Sequence, residues 1–145
     1  ETGDISLLKE MISLGTHIIL PLEGAKEITG KVNAEDCLKN LSMLTNGQLI
    51  ITDGVNGSWA LENNNIVYQP AFKTEVKDTT GCGDAYHAAY AIALLDDENL
   101  KDRMEFASAY ASIIAKHFGG RSYFPTKKEV KNLIIKHKES CQQVY

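Results

Sequence analysis

Positive charge is in short supply. Lysine and arginine total 15 against 19 aspartates and glutamates, a formal charge of −4 at neutral pH, so no global basic field favours nucleic acid or an anionic membrane as a partner. Cysteine is scarce too. Cys37, Cys82 and Cys141 are odd in number and far apart, which excludes a disulfide framework and a CxxC metal knuckle and suits a reducing, cytoplasmic setting. The longest apolar stretch, Ala88 to Leu95, falls far short of the ~20 residues a membrane helix requires. No charged-then-apolar leader opens the chain, which starts at Glu1 rather than Met and therefore reads as a processed or cropped piece of something longer. Repeats of domain-building length and low-complexity tracts are missing as well. So is the Gly-x4-Gly-Lys-Ser/Thr signature of P-loop chemistry.

What is present is ordinary globular material: 145 residues, 43% hydrophobic and 23% charged, enough for one domain with a core of its own. His17-Ile18-Ile19-Leu20 and Gln48-Leu49-Ile50-Ile51-Thr52 are short apolar runs closed by Pro or Asp-Gly, as buried parallel strands are. Between them Asn33 and Asp36 make a capping signal, and Leu38, Leu41 and Leu44 recur at helical spacing up to Asn46-Gly47. Ser58 to Glu62 and Ile66 to Gln69 read as a hairpin around Asn63-Asn64-Asn65, and Val76 as part of another extended piece. Asp84 to Leu95 is apolar almost all round, which predicts a buried helix. A second helix spans about Lys101 to His117, with Met104, Ala107, Ala111 and Ile114 on one face and Gly119-Gly120 at its end. Pro125, Thr126 and Glu129 open a last helix striped by Val130, Leu133, Ile134 and His137. The class is α/β.

The segment Asp78-Thr79-Thr80-Gly81-Cys82-Gly83-Asp84 joins an extended stretch to a helix through two glycines. Such a junction presents unpaired backbone N–H groups at the positive end of a helix, and glycine lets the backbone approach a ligand closely, so an anion such as phosphate is the natural guest. A carboxylate just beyond, at Asp84, is poorly placed to bind that phosphate but well placed to take a proton from an attacking hydroxyl. The same pattern also serves as a plain turn and cap. A second glycine pattern, Thr52-Asp53-Gly54-Val55-Asn56-Gly57, closes the Gln48 strand, and strand ends in open α/β sheets are where ligands bind.

These residues resemble the C-terminal half of the ribokinase-like (PfkB) family of carbohydrate kinases. Its Asp-Thr-x-Gly-Ala-Gly-Asp signature with an Ala-rich helix matches Asp78 to Asp84 and Ala85-Tyr86-His87-Ala88-Ala89-Tyr90, with Cys82 in place of Ala. Its Thr-x-Gly-x-x-Gly turn matches Thr52, Gly54 and Gly57, and its late helix and loop match Phe106 to Ala109 and Phe118-Gly119-Gly120-Arg121 to Pro125-Thr126. The resemblance implies a ribokinase-like three-layer α/β/α fold with a mostly parallel sheet, of which residues 1–145 are the C-terminal nucleotide-binding and catalytic portion. It implies ATP-dependent phosphorylation of a sugar hydroxyl, with Asp84 as general base and Gly81, Cys82 and Gly83 as the anion hole. Thr52, Gly54 and Gly57 are implied near the ATP phosphates, and Ala107, Ser108 and Ala111 at the adenine, where helix packing is an equal reading. Asp78 and Thr80 match positions that help hold a monovalent cation such as K⁺, a capped turn being the alternative.

One departure concerns Mg²⁺. The family's Asn-x-x-Glu pair falls on Pro21 and Gly24, leaving Glu23, one residue out of register, as the candidate to organise the ion through water. Branches close to ketohexokinase also lose that Asn, and His87 and Gly119-Gly120-Arg121 resemble theirs. In this family the sugar contacts and a dimerising lid come mainly from the N-terminal half, so the expected partners are ATP, a small sugar and a second subunit. A non-catalytic nucleotide-binding module, or a kinase remnant, is the rival reading. A Cys82 thiolate nucleophile is another, but no third orienting group accompanies Cys82 and His87. His17, His117 and His137 show no ligand spacing.

Overall fold

The computed structural model describes residues 4–142. Composition predicts one domain, whereas the chain divides into two compact units, Glu1–Tyr68 and Gln69–Tyr145.

In the first unit, α1 (Ile5–Leu14) is opened by Asp4, whose carboxylate accepts from the Ser6 amide at 2.9 Å. It is followed by β1 (His17–Pro21), α2 (Leu22–Thr29), α3 (Ala34–Leu41), β2 (Gln48–Thr52), β3 (Ser58–Glu62) and β4 (Asn65–Gln69). Asn33 caps α3 as its spacing predicts, accepting from the Asp36 amide at 2.8 Å; such a cap contributes ~1 kcal/mol. The helix stops at Leu41, and Leu44 packs on the core from the turn beyond it.

The strands form one sheet in the order β1-β2-β3-β4. β1 and β2 run parallel with His17 opposite Gln48, joined through α2 and α3, while β3 runs antiparallel to β2 with Ile50 opposite Ala60. The sheet is therefore mixed, and its parallel part among the described residues is the β1–β2 pair. Alternation sends Leu49 and Ile51 to the face covered by Ala25 and Ile28 of α2 and Cys37, Leu38 and Leu41 of α3, all buried. The hairpin turn is two residues, Asn63 and Asn64, both left-handed with φ of 51° and 63°; Asn65 already belongs to the strand. That backbone matches the twist of the strands it joins, and Asn tolerates it better than most residues.

The second unit carries α4 (Cys82–Leu95), α5 (Leu100–Ile114) and α6 (Lys127–Gln142). Val76 lies in an irregular stretch instead of a strand. Small residues let α4 and α5 approach closely: Ala89, Ala93, Ala107 and Ala109 are almost wholly buried, beside Met104. The all-round apolarity of α4 predicts complete burial, but only the face bearing Tyr86, Ala89, Tyr90 and Ala93 is buried, while Ile92 and Leu95 are exposed. The α6 stripe follows its spacing, with Val130 fully buried, Leu133 and Ile134 half-buried, and His137 packed on Phe72 with ring centroids 4.8 Å apart.

Glu129 and Thr126 close a capping box on α6. The Glu129 carboxylate accepts from the Thr126 amide at 2.7 Å and hydroxyl at 2.6 Å, and also from the Tyr123 hydroxyl. Those donors, the Thr126 hydroxyl first, hold the Glu129 carboxyl down to about 2 from the ordinary 4.5. A depressed folded pKa means that this cap stabilises the fold above the ordinary value and is lost as pH falls through about 2. Titration of the Thr126 amide shift should accordingly inflect near that lower value and lose the inflection in Glu129→Gln. Inflection in the ordinary glutamate range would show that the cap does not form.

Candidate active site

The glycine-rich segment folds as a turn and helix cap. The Lys77 and Asp78 amides both donate to the Ala115 carbonyl at the end of α5, at 2.8 and 3.2 Å, anchoring the strand of chain that leads in. Gly81 is the N-cap of α4 with φ of +77°, a backbone state that costs glycine nothing. Cys82 donates its amide to the Thr79 carbonyl at 3.1 Å. Among the described residues the amides of Gly81, Gly83 and Asp84 have no acceptor, so Gly81 and Gly83 of the expected anion hole present free donors with Asp84 beside them, while the Cys82 amide is committed to the turn.

Asp78 ties this turn to a loop far along the chain. Its carboxylate accepts from the Thr80 amide at 2.9 Å and from the Gly119 amide at 2.8 Å. These bonds, Thr80's first, hold the Asp78 carboxyl below the usual aspartate value. Each oxygen keeps a second lone pair, so the clamp is compatible with the monovalent-cation role that sequence resemblance suggests for Asp78 and Thr80. Glycine is required where the two segments meet: a Cβ on Gly120 would lie 2.6 Å from the Thr80 carbonyl oxygen and 2.9 Å from Gly81 Cα. Because both obstacles are main chain, Gly120→Ala should cost ~1–3 kcal/mol by overpacking, read as a lower denaturation midpoint. Gly83→Ala is the control, since a Cβ there meets nothing within 4 Å. Equal midpoints for the two variants would contradict the packing.

Asp84 is exposed in the first turn of α4 and makes no hydrogen bond or ion pair among the described residues. It lines an open cleft of about 890 Å³ together with Thr80, Gly81 and the Gly119–Ser122 loop; apolar walls come from Ile114 and Phe124. Cys82 is turned elsewhere: its thiol donates to the Ala111 carbonyl at 3.7 Å, does not line the cleft, and is pushed up by burial and then by the Asp78 charge. That argues against a thiolate nucleophile, which needs a lowered pKa and access. The His87 ring shares a hydrogen bond with the Gly83 carbonyl at 2.8 Å.

The remaining candidates are distributed as follows. Ala107 is fully buried, Ser108 is half-buried with its hydroxyl on the Pro70 carbonyl at 3.4 Å, and Ala111 is half-buried. Ala107 therefore packs between helices, leaving Ser108 and Ala111 the accessible members of that set. In the first unit, Thr52 ends β2, and a 3₁₀ turn over Gly54–Asn56 follows. Gly54 and Gly57 have φ of 48° and 98°, and the Asp53 amide donates to the Gly57 carbonyl at 2.8 Å. Glu23, on the first turn of α2, is exposed and paired with Lys26 at 3.0 Å. No cluster of three or more His, Cys, Asp or Glu side chains able to hold a metal exists among the described residues. Nor is any helix among them long and apolar enough to cross a membrane. Cys37 and Cys82 are free thiols; the Cys141 side chain lies outside those described.

Residues 3–127 match the family model described as pfkB family carbohydrate kinase. The ribokinase of Bacillus subtilis is 36% identical over 87 residues, 60% of this chain and 30% of its own length. Among solved structures, the ribokinase of Thermotoga maritima superposes with a TM-score of 0.80 at 23% identity, covering 88% of this chain and 44% of that one. The Arabidopsis thaliana ribokinase, solved with ribose and ATP, gives 0.80 at 22% identity over 87% of this chain and 43% of its own. At such identities the structural likeness is one of fold. The chain spans about a third of the curated relative and under half of the solved ones.

Proposed function

This chain belongs to the pfkB family of carbohydrate kinases, and from that premise we propose that it supplies the nucleotide-binding and catalytic portion of an enzyme that phosphorylates a sugar hydroxyl with ATP. The observation that carries the reading is the juxtaposition, at one helix start, of unpartnered Gly83 and Asp84 amides with an exposed, unpaired Asp84 carboxylate. A bound Mg²⁺-ATP supplies the activated phosphoryl group and part of the charge neutralisation. The Gly83 and Asp84 amides hold the terminal phosphoryl oxygens, where preorganised donors act without reorganisation. Asp84 accepts the proton of the sugar hydroxyl as its oxygen attacks, and no covalent enzyme intermediate is required. An idle Asp84 would gain nothing from standing unpaired beside an anion site, which disfavours the remnant reading.

Thr52, Gly54 and Gly57 contribute a phosphate-facing turn, and Ser108 and Ala111 an adenine contact. Mg²⁺ travels with the nucleotide, which suits an ion that keeps most of its waters and takes few protein ligands. Asp78 and Thr80 hold a monovalent cation such as K⁺. A sugar is the acceptor, and pairing of subunits belongs to the same reading.

The test is calorimetry of the chain with Mg²⁺ and a non-hydrolysable ATP analogue. Binding is expected, and Gly83→Val should weaken it about tenfold or more, ~1.4 kcal/mol or above. The backbone at Gly83 is helical and its Cβ direction open, so a loss reports obstruction of the ligand instead of strain in the free protein. Unchanged affinity in Gly83→Val would remove the amides from the role.

A further inference from the structure

Two charged side chains line the 890 Å³ cleft, and only one of them has a task in the reading above. Asp84 stands on the α4 side; Arg121 stands on the loop opposite. Arg121 is exposed, and none of the ion pairs or side-chain hydrogen bonds found among the described residues engages it. In particular, Asp84 and Arg121 do not neutralise each other although they share the cleft.

The loop that presents Arg121 is fixed independently of that side chain. Gly119 donates to the Asp78 carboxylate, and Gly120 abuts Thr80 and Gly81 so tightly that neither it nor Gly81 has room for a methyl group without backbone movement. Arg121 is the next residue. A guanidinium is thereby delivered beside the same turn whose Gly83 and Asp84 amides lack acceptors. Guanidinium is planar, permanently charged and matched to two oxygens of a phosphoryl group at once, where a lysine would act only as a point charge. In phosphoryl transfer the charge resides on the non-bridging oxygens, so a second cationic contact from across the cleft adds to what the amides provide.

Resting on the proposed kinase reading, we propose that Arg121 is a phosphate-binding residue, holding the terminal phosphoryl group of the nucleotide jointly with the Gly83 and Asp84 amides. The ligand chemistry is a terminal phosphoryl anion. Arg121 is solvent-exposed and forms none of the core, so its replacement leaves the fold in place.

The experiment is a ¹H–¹⁵N titration of the 145-residue chain, observing backbone amides and the arginine Nε–H signals, first with inorganic tripolyphosphate and then with ADP and a non-hydrolysable ATP analogue in the presence of Mg²⁺. The expected result is that the Gly83 and Asp84 amides and the Arg121 Nε–H shift together with one dissociation constant. Arg121→Gln should weaken the triphosphate analogue about tenfold and ADP by less than about twofold, and Arg121→Lys should recover part of the loss. A general loosening of the loop would instead weaken both nucleotides alike, and that result overturns the proposal. Shifts of the Gly83 and Asp84 amides with Arg121 unmoved, and full affinity in Arg121→Gln, also overturn it while leaving the anion turn standing. No response at those amides to any of the three probes overturns the proposal together with the reading it rests on.

Discussion

Asp84→Asn, in an active enzyme containing this chain, is expected to lower turnover by about 10²–10⁴-fold, the range that positioned general bases contribute, while nucleotide affinity changes little. The amide has the carboxylate's shape and lacks its capacity to accept the hydroxyl proton. Asp84 is exposed and its side chain makes no hydrogen bond among the described residues, so the substitution breaks no side-chain contact and costs only the ~0.3–1 kcal/mol that a carboxylate contributes in the first turn of a helix. Its backbone amide, one of the free donors at the start of α4, is retained. The decisive measurement is turnover and nucleotide KM side by side. Near-normal turnover would remove Asp84 from the chemistry, and a parallel loss of nucleotide affinity would place it in binding instead.

The 145 residues by themselves are expected to form no measurable ADP in response to any sugar. The matched stretches cover 30% of the length of the Bacillus subtilis ribokinase and 44% of the Thermotoga maritima one. Among the described residues the cleft around Asp84 offers few polar groups apart from Thr80, Ser122, Tyr110 and Arg121 to orient a polyhydroxylated acceptor. Holding a reacting hydroxyl in line with the phosphorus supplies ~7–11 kcal/mol of barrier lowering. A base and an anion site without that positioning leave the reaction close to its uncatalysed rate. A coupled ADP-release assay with ketoses, aldoses and nucleosides settles the point. Sugar-dependent ADP formation that disappears in Asp84→Asn would show that this chain assembles a complete acceptor site.

The elements that could be read from sequence are those whose signals are local. Asn33 with Asp36, Thr126 with Glu129, and the asparagines between two alternating runs each declare a cap or turn within four residues, and each is found. α1 escaped because Leu7, Met11 and Leu14 point to solvent while Ile12 alone is buried, so no single apolar stripe marks it. α2 escaped because it starts directly after Pro21 with no capping side chain. The buried helix expected from Asp84 to Leu95 is half-buried, since composition reports how apolar a helix is and not which surfaces are there to cover it.

At the site, Asp84 and the glycine turn were legible as a contiguous pattern, and the resemblance gave them roles to test. The Asp78 to Gly119 bond and the Gly81 to Gly120 contact were not, because they join positions about 40 residues apart and each has on at least one side a backbone group that every residue possesses. Arg121 acquires its interest only from that closure. A signal did exist in the adjacency of two glycines to an arginine, but it reads equally well as the end of a helix.

The meeting of Gly81 and Gly120 has a consequence for how faithfully the site keeps its shape. A contact between side chains has rotamers to sample and methylenes to trade, so it drifts as neighbours are exchanged. Here the two loops meet as bare main chain, so closely that a Cβ placed on Gly81 would lie 3.0 Å from Gly120 Cα. Substitution elsewhere in the unit can change how firmly the loops are pressed together but has no adjustable part with which to change their separation. The distance between the amide turn and the loop bearing Arg121 is thus set by main chain in van der Waals contact with main chain, and variation in what the cleft accepts falls to side chains hung on that frame.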